Sequence, residues 1–247
     1  MMNGYTVDIN VDVGEGLGNE ARLLPYVSSC NIACGGHAGN EETMVAVAKL
    51  AKEFSVKIGA HPSFPDIENF GRKPMEMSCA DLYTSIKQQV RGFMNVLRTE
   101  HLALHHIKPH GALYNLAMKD EKTASVIIEV IKSIALPVKL YVPYGSVIAN
   151  LALEEQIPVM YEAFADRSYN EDLSLVSRDK SNAVLNHSEA VFEHVFNMIS
   201  RQKVKTISGV EVDIKADTFC VHGDSPNVEK TLQYLTEKLK ELHVKIA

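Results

Sequence analysis

The segment TVDINVDV (residues 6–13) alternates without a break: Val7, Ile9, Val11 and Val13 share one face, and Asp8, Asn10 and Asp12 share the other. A period of two marks an extended strand. Taken alone, such a strand suits an antiparallel sheet with one wet face. The rest of the chain argues for a different setting. SSCNIACG (28–35) reads as a second strand, and Asn40 then caps EETMVAVAKLAKEF, with Glu41 and Glu42 in the positive first turn and Met44, Val47, Ala48 and Ala51 on one side. VKIGAHP (56–62) is a third strand, followed by Ser78 and Asp81 as a capping box for DLYTSIKQQVRGFMNVL. HHIKPHG (105–111), VKLYVP (138–143), PVMYEAF (158–164) and TFCVHGD (218–224) continue the series. Helical patterns follow near 119–134, near 145–155, at SEAVFEHVFNMIS and at PNVEKTLQYLTEKLKEL.

Strand followed by helix, about seven times over, predicts a parallel sheet with right-handed crossovers. An open doubly wound sheet and a closed β/α barrel both satisfy that order. KTISGVEVDI (205–214) interrupts it as a small β-hairpin insertion around Ser208-Gly209. No linker rich in Pro, Gly or Ser appears, so residues 1–247 read as one domain, a length that a β/α barrel can use. Both faces of a parallel sheet are normally covered. Asp8, Asn10 and Asp12 then point into an interior where each needs a partner or a task.

The chain carries 25 Lys+Arg against 31 Asp+Glu, a net charge of −6, which gives no reason to expect a nucleic-acid or anionic-membrane partner. Its 46% apolar and 23% charged residues suit a soluble globular fold, and no apolar run approaches bilayer length. MMNGYTVDINVDV lacks the basic and apolar regions of a secretion signal, so a cytoplasmic location is expected. Cys30, Cys34, Cys79 and Cys220 include no CxxC pair and are expected as free thiols.

Ionisable residues recur at the strand ends. Asp12 and Glu15 follow the first strand, His37 the second and His61 the third; Lys108 and His110 end the fourth, Glu162, Asp166 and Arg167 the sixth, His222 and Asp224 the seventh. Four of the ten histidines therefore converge by topology on one rim, where such folds hold ligands. Gly or Pro stands beside most of them, in Gly35-Gly36-His37, His61-Pro62, Lys108-Pro109-His110-Gly111 and His222-Gly223-Asp224-Ser225-Pro226. Gly14-Glu15-Gly16-Leu17-Gly18 has the wrong spacing for a dinucleotide fingerprint, and GxxxxGK[ST], GxSxG and HExxH are absent. Asp12, His61 and His110 are candidate ligands for a divalent metal, a metal-free acid/base cluster being the alternative.

NVDVGEG, SSCNIACGGHAGN, IGAHPSFPD with FGRKPM, IKPHGALYN, EAFADRSYN and ADTFCVHGDSP together resemble the LamB/YcsF family, from about residue 5 to the last helix. The resemblance implies a seven-stranded parallel β/α barrel of the glycoside hydrolase/deacetylase type. It also implies one component of an ATP-dependent 5-oxoprolinase, which opens 5-oxo-L-proline to L-glutamate together with subunits B and C. With no P-loop in this chain, ATP is expected mainly on those partners. The family's motif positions fall on twelve residues here; of these, Asp12, Glu15, His61, Lys108 and His110 are expected in catalysis, and His37, Arg72, Asn115, Asp166, Arg167, His222 and Asp224 in substrate binding. Asp12 or His61 is expected as base or metal ligand, Lys108 and His110 as stabilisers of developing charge, and Arg72 or Arg167 as a carboxylate clamp. Three features depart from the family's pattern: the short segment GLGNEAR before LLP, Gly36 in place of an aromatic, and Asn40 in place of an acid. A stand-alone metal-dependent deacetylase or amidohydrolase, and a non-catalytic substrate-binding subunit, are the competing readings.

Overall fold

All three polar residues of the first strand lie inside a closed barrel. The computed structural model describes residues 4–225 and 227–247; Pro226 and the first three residues of the opening stretch lie outside them. In chain order the elements are β1 (Thr6–Val13), α1 (Glu20–Leu23), a 3-10 turn (Leu24–Tyr26), β2 (Ser29–Ala33), α2 (Glu41–Glu53), β3 (Lys57–His61), α3 (Cys79–Thr99), β4 (His106–Ile107), α4 (Gly111–Ala117), α5 (Glu121–Ile134), β5 (Lys139–Pro143), α6 (Val147–Glu154), β6 (Val159–Phe164), α7 (Ser188–Arg201), β7 (Lys203–Lys205), β8 (Glu211–Asp213), β9 (Thr218–Val221), α8 (Val228–Glu241) and β10 (Lys245–Ile246). β1 to β6 pair in sequence order, β9 joins β6, and β9 closes on β1, every pairing being parallel. The seven-stranded barrel expected from the resemblance is thus present, and closure decides against the open sheet. The hairpin insertion is β7 and β8, an antiparallel pair apart from the barrel.

Several local expectations hold for the stated physical reason. The Asn40 side chain accepts from Thr43 N at 2.9 Å, and Ser78 Oγ accepts from Asp81 N at 3.1 Å. α2 buries Met44, Val47, Ala48 and Ala51, the four residues its periodicity selects. The fourth strand differs. It is two residues long, and α4, absent from the sequence reading, begins at Gly111. Pro109 has no amide hydrogen to continue a ladder. Even so the backbone stays extended, because Lys108 N and His110 N donate to Ala60 O and Pro62 O. Gly111 then turns at φ +53 with Gly71 O packed where a Cβ would sit. β10 is the other unforeseen strand; it pairs in parallel with Thr6 and Val7 of β1.

The barrel interior is polar from floor to rim. Near the floor, Ser29 Oγ and Thr218 Oγ1 donate to Asp8 Oδ2 at 2.6 and 2.7 Å. Above them Asn10 Nδ2 donates to Glu162 Oε1 and Thr218 Oγ1, while Asn31 Nδ2 donates to Asn10 Oδ1. The His106 ring stacks on Tyr141 at 3.9 Å and donates from Nε2 to Asn31 Oδ1 at 2.7 Å. Both rings are fully buried. Burial, reinforced by the neighbouring cations, holds His106 well below the usual imidazole range, so it stays neutral.

Gly59 on β3 makes room for that ring: a Cβ there would overlap the His106 imidazole. Replacing Gly59 by Ala is expected to destabilise the fold by ~1–3 kcal/mol through overpacking. Urea unfolding of Gly59→Ala beside the wild type measures it, and equal midpoints would contradict the lumen packing described.

Candidate active site at the barrel mouth

Lys108 lies in the upper lumen, 2% exposed. Its Nζ donates to Asp12 Oδ1 at 2.9 Å, lies 3.0 Å from Glu162 Oε1, and reaches Cys220 Sγ at 3.1 Å. Burial opposes the ammonium charge, but Asp12, Cys220 and Glu162 outweigh it and hold Lys108 well above the usual lysine range. Asp12 is the counterpart. Burial favours its neutral form, yet the fields of His61 and Lys108 hold its carboxyl well below the usual range. Asn31 Nδ2 donates to the same Asp12 oxygen at 2.8 Å, which leaves Oδ2 directed at His61 Nε2, 3.4 Å away.

His61 and His110 meet under an unusual constraint. His61 Nδ1 is 2.7 Å from Lys108 O, and His110 Nε2 is 3.0 Å from Phe70 O. A carbonyl only accepts, so both of these nitrogens carry hydrogens. The remaining nitrogens, His61 Nε2 and His110 Nδ1, face one another at 2.9 Å. In two neutral rings these would be opposed lone pairs. A proton or a metal cation therefore has to lie between them. Ligating histidines commonly donate their outer N–H to a carbonyl in this manner.

His37 stacks face to face on His110 at 3.6 Å and shares a 2.9 Å hydrogen bond between its Nε2 and Glu15 Oε1. Burial lowers the His37 pKa, partly offset by Glu15, so the ring is neutral and Nε2–H is the donor. Glu15, His37, His61 and His110 each offer one ligand atom within 4.8 Å of the others. These residues fit a divalent cation. The set differs from the Asp12, His61 and His110 read from sequence: Asp12 sits one layer deeper, with Oδ1 already shared by Asn31 and Lys108.

A second group completes the rim. Asp166 accepts from His222 N at 3.0 Å and pairs with His222 Nδ1 at 2.8 Å. Burial works against the Asp166 charge, but His222 holds its carboxyl below the usual range. The His222 ring stacks on Phe164, whose ring also faces Lys108 Nζ at 5.3 Å. Arg72 Nη2 donates to Asp224 Oδ2 at 2.9 Å. Arg167 behaves differently: its Nε and Nη2 donate to Ala183 O and Val176 O, so it fastens the loop between β6 and α7. Arg178, from that same loop and not singled out in the sequence, reaches Asp224 Oδ2 at 3.0 Å. Asn115 is exposed and lines a neighbouring cavity with Tyr114, Met118, Tyr144 and Glu162.

The family pattern of LamB/YcsF matches residues 7–247. The chain belongs to the LamB/YcsF family. It is 40% identical over 240 residues to a 5-oxoprolinase subunit from Haemophilus influenzae (strain PittEE), covering 97% of this chain and 98% of that one. Among solved structures, the lactam utilization protein from Thermus thermophilus superimposes with a TM-score of 0.91 at 34% identity, covering 98% of both chains. A family 4 carbohydrate esterase from Streptomyces lividans shares the fold alone, with a TM-score of 0.51 at 8% identity over 99% of this chain and 93% of that one. Gly36 leaves space that Gln89 fills; the Gln89 Nε2 donates to Ser63 O and its Oε1 accepts from Ser63 N. No helix among the described residues is long and apolar enough to cross a membrane.

Asp12 also ties the site to stability. Its folded pKa is depressed, so its contribution is complete above the unfolded carboxylate value of about 4 and is lost as pH falls toward the folded value. The stability gap between wild type and Asp12→Asn is expected to be widest at neutral pH and to narrow below pH about 4. Urea titrations at both ends of that range give the gap; a constant difference would mean that Asp12 is not held ionised.

Proposed function

We propose that this chain is the hydrolytic component of an ATP-dependent 5-oxoprolinase, opening the lactam of 5-oxo-L-proline to L-glutamate. The names of its relatives support the substrate, and the arrangement of Asp12, His61 and His110 carries the chemistry. A lactam is a poor electrophile; transfer of the ATP terminal phosphoryl group to its oxygen would activate the carbon, one water would add there as the C–N bond breaks to leave an acyl phosphate, and a second water would release phosphate and L-glutamate. That activation is assigned to partner subunits B and C, since no P-loop occurs in this sequence. The same reading makes the chain a cytoplasmic protein.

The residues divide the work as follows. A divalent cation held by Glu15, His37, His61 and His110 would lower the pKa of a water beside the substrate carbonyl. Asp12 Oδ2, ionised and facing His61 Nε2, accepts a proton from the attacking water. Lys108 acts as a positioning residue, because Asp12, Glu162 and Cys220 surround its ammonium inside the lumen. His222, oriented by Asp166, supplies a proton to the departing nitrogen as the C–N bond breaks.

The Glu15 and histidine cluster also favours a second reading, an amidohydrolase that works without ATP or partners. Glutamate formation from 5-oxo-L-proline separates the two. It is to be followed with the chain alone and with its partner subunits, with and without ATP and with and without chelator. The first reading expects turnover only in the ATP-supplied complex; ATP-independent turnover by the chain alone would establish the second. In the complex, Asp12→Asn, His61→Ala and His110→Ala are each expected to lower turnover by at least ~100-fold. Near-normal rates in all three folded variants would remove the site from the reaction.

A further inference from the structure

Two guanidiniums meet one carboxylate oxygen at the barrel mouth. Arg72 Nη2 and Arg178 Nη1 lie 2.9 and 3.0 Å from Asp224 Oδ2. The three residues come from three separate loops, after β3, β6 and β9. Two guanidinium cations thus share one carboxylate oxygen. Each arginine donates to Asp224 through one terminal nitrogen, so fork donors remain for a second acceptor. The Arg72 guanidinium is further held against the Phe70 ring, 5.0 Å from its centroid.

Stability alone does not account for the arrangement. The Arg72 and Arg178 side chains are 46% and 35% exposed, and ion pairs in such settings contribute about 0–1 kcal/mol. Arg167 already fastens the loop, through Ala183 O and Val176 O. Arg178 is left to face a cavity of about 450 Å³, which it lines with Asp166, Asp179, Lys180, Asn186, Asp224 and Ser225. That cavity adjoins the chemistry. Asp166 on its wall orients His222, two residues before Asp224.

We infer that Arg178, paired with Arg72 across the mouth, anchors the carboxylate of a small cyclic amide acid, with Asp224 aligning the two guanidiniums until that carboxylate arrives. This rests on the 5-oxoproline reading for the identity of the ligand. The planar fork of a guanidinium matches a carboxylate in two parallel hydrogen bonds, which lysine does not reproduce. Discrimination then follows: a lactam without the acid group lacks the contact and binds more weakly.

The test uses the full-length chain and its Arg178→Gln and Arg178→Lys variants, checked for wild-type melting temperature. Titration calorimetry gives Kd for 5-oxo-L-proline, for 2-pyrrolidone, which lacks the carboxylate, and for inorganic phosphate; the reconstituted complex gives KM. Arg178→Gln is expected to weaken 5-oxo-L-proline ~10- to 100-fold, the size of a lost charge-assisted hydrogen bond, and to raise KM by a similar factor. The preference for 5-oxo-L-proline over 2-pyrrolidone collapses accordingly, and Arg178→Lys restores part of it. Unchanged Kd and KM, equal weakening of both lactams, an effect confined to phosphate, or a wild-type chain that binds none of the probes would each overturn the inference. If the complex fails to turn over while 5-oxo-L-proline binding still depends on Arg178, the proposed function falls and the anchor stands. If turnover is normal and Arg178→Gln changes nothing, the reverse holds.

Discussion

A lysine ammonium sealed inside the barrel sets the terms for everything above it. Lys108 is compensated by Asp12 and Glu162, from β1 and β6, which lie far apart in sequence but flank the same strand, β9. Removing either partner of a buried ion pair strands a charge, a loss of ~3–5 kcal/mol. The same stretch of chain does more than neutralise. The carbonyl of Lys108 fixes the ring of His61, and two residues later His110 supplies the facing nitrogen. One extended segment, Lys108-Pro109-His110, thus holds Asp12 ionised, sets the tautomer of one histidine and delivers the other.

The polar interior works as a stack of tiers. Asp8, Ser29 and Thr218 form the lowest, Asn10, Asn31, His106 and Glu162 the middle, and Asp12 with Lys108 the next. Glu15, His37, His61 and His110 sit at the opening, flanked by the Asp166–His222 pair. Each tier orients the one above it, so the uppermost groups are held by hydrogen bonds that begin near the floor. Such preorganisation is what a hydrolytic centre needs, because groups already in place do not have to be reorganised as charge develops.

Much of this was legible in the residues themselves. The alternation of 6–13 placed Asp8, Asn10 and Asp12 on one face, and repeated strand–helix order placed the histidines on one rim. Other features resisted reading for physical reasons. Pro109 and Gly111 hid the start of α4 within what looked like a longer strand. β10 is two residues long and exists only because β1 offers it an edge, a partner far away in the chain. Glu15 and His37 replaced Asp12 among the candidate ligands because depth in a barrel is decided by register, which spacing does not reveal. Arg167 and Arg178 were the least readable pair. Both are arginines of one loop, and only the fold shows that the first is tied to backbone carbonyls and the second to Asp224.

The stacked rings of His106 and Tyr141 have a consequence for traffic. Both are fully buried and sit across the middle of the lumen, so the barrel is stoppered like a flask. On the proposed reading, reactant and product would both pass through the rim. Any protein seated over that rim would act as turnstile in both directions, and release of one molecule would have to precede admission of the next.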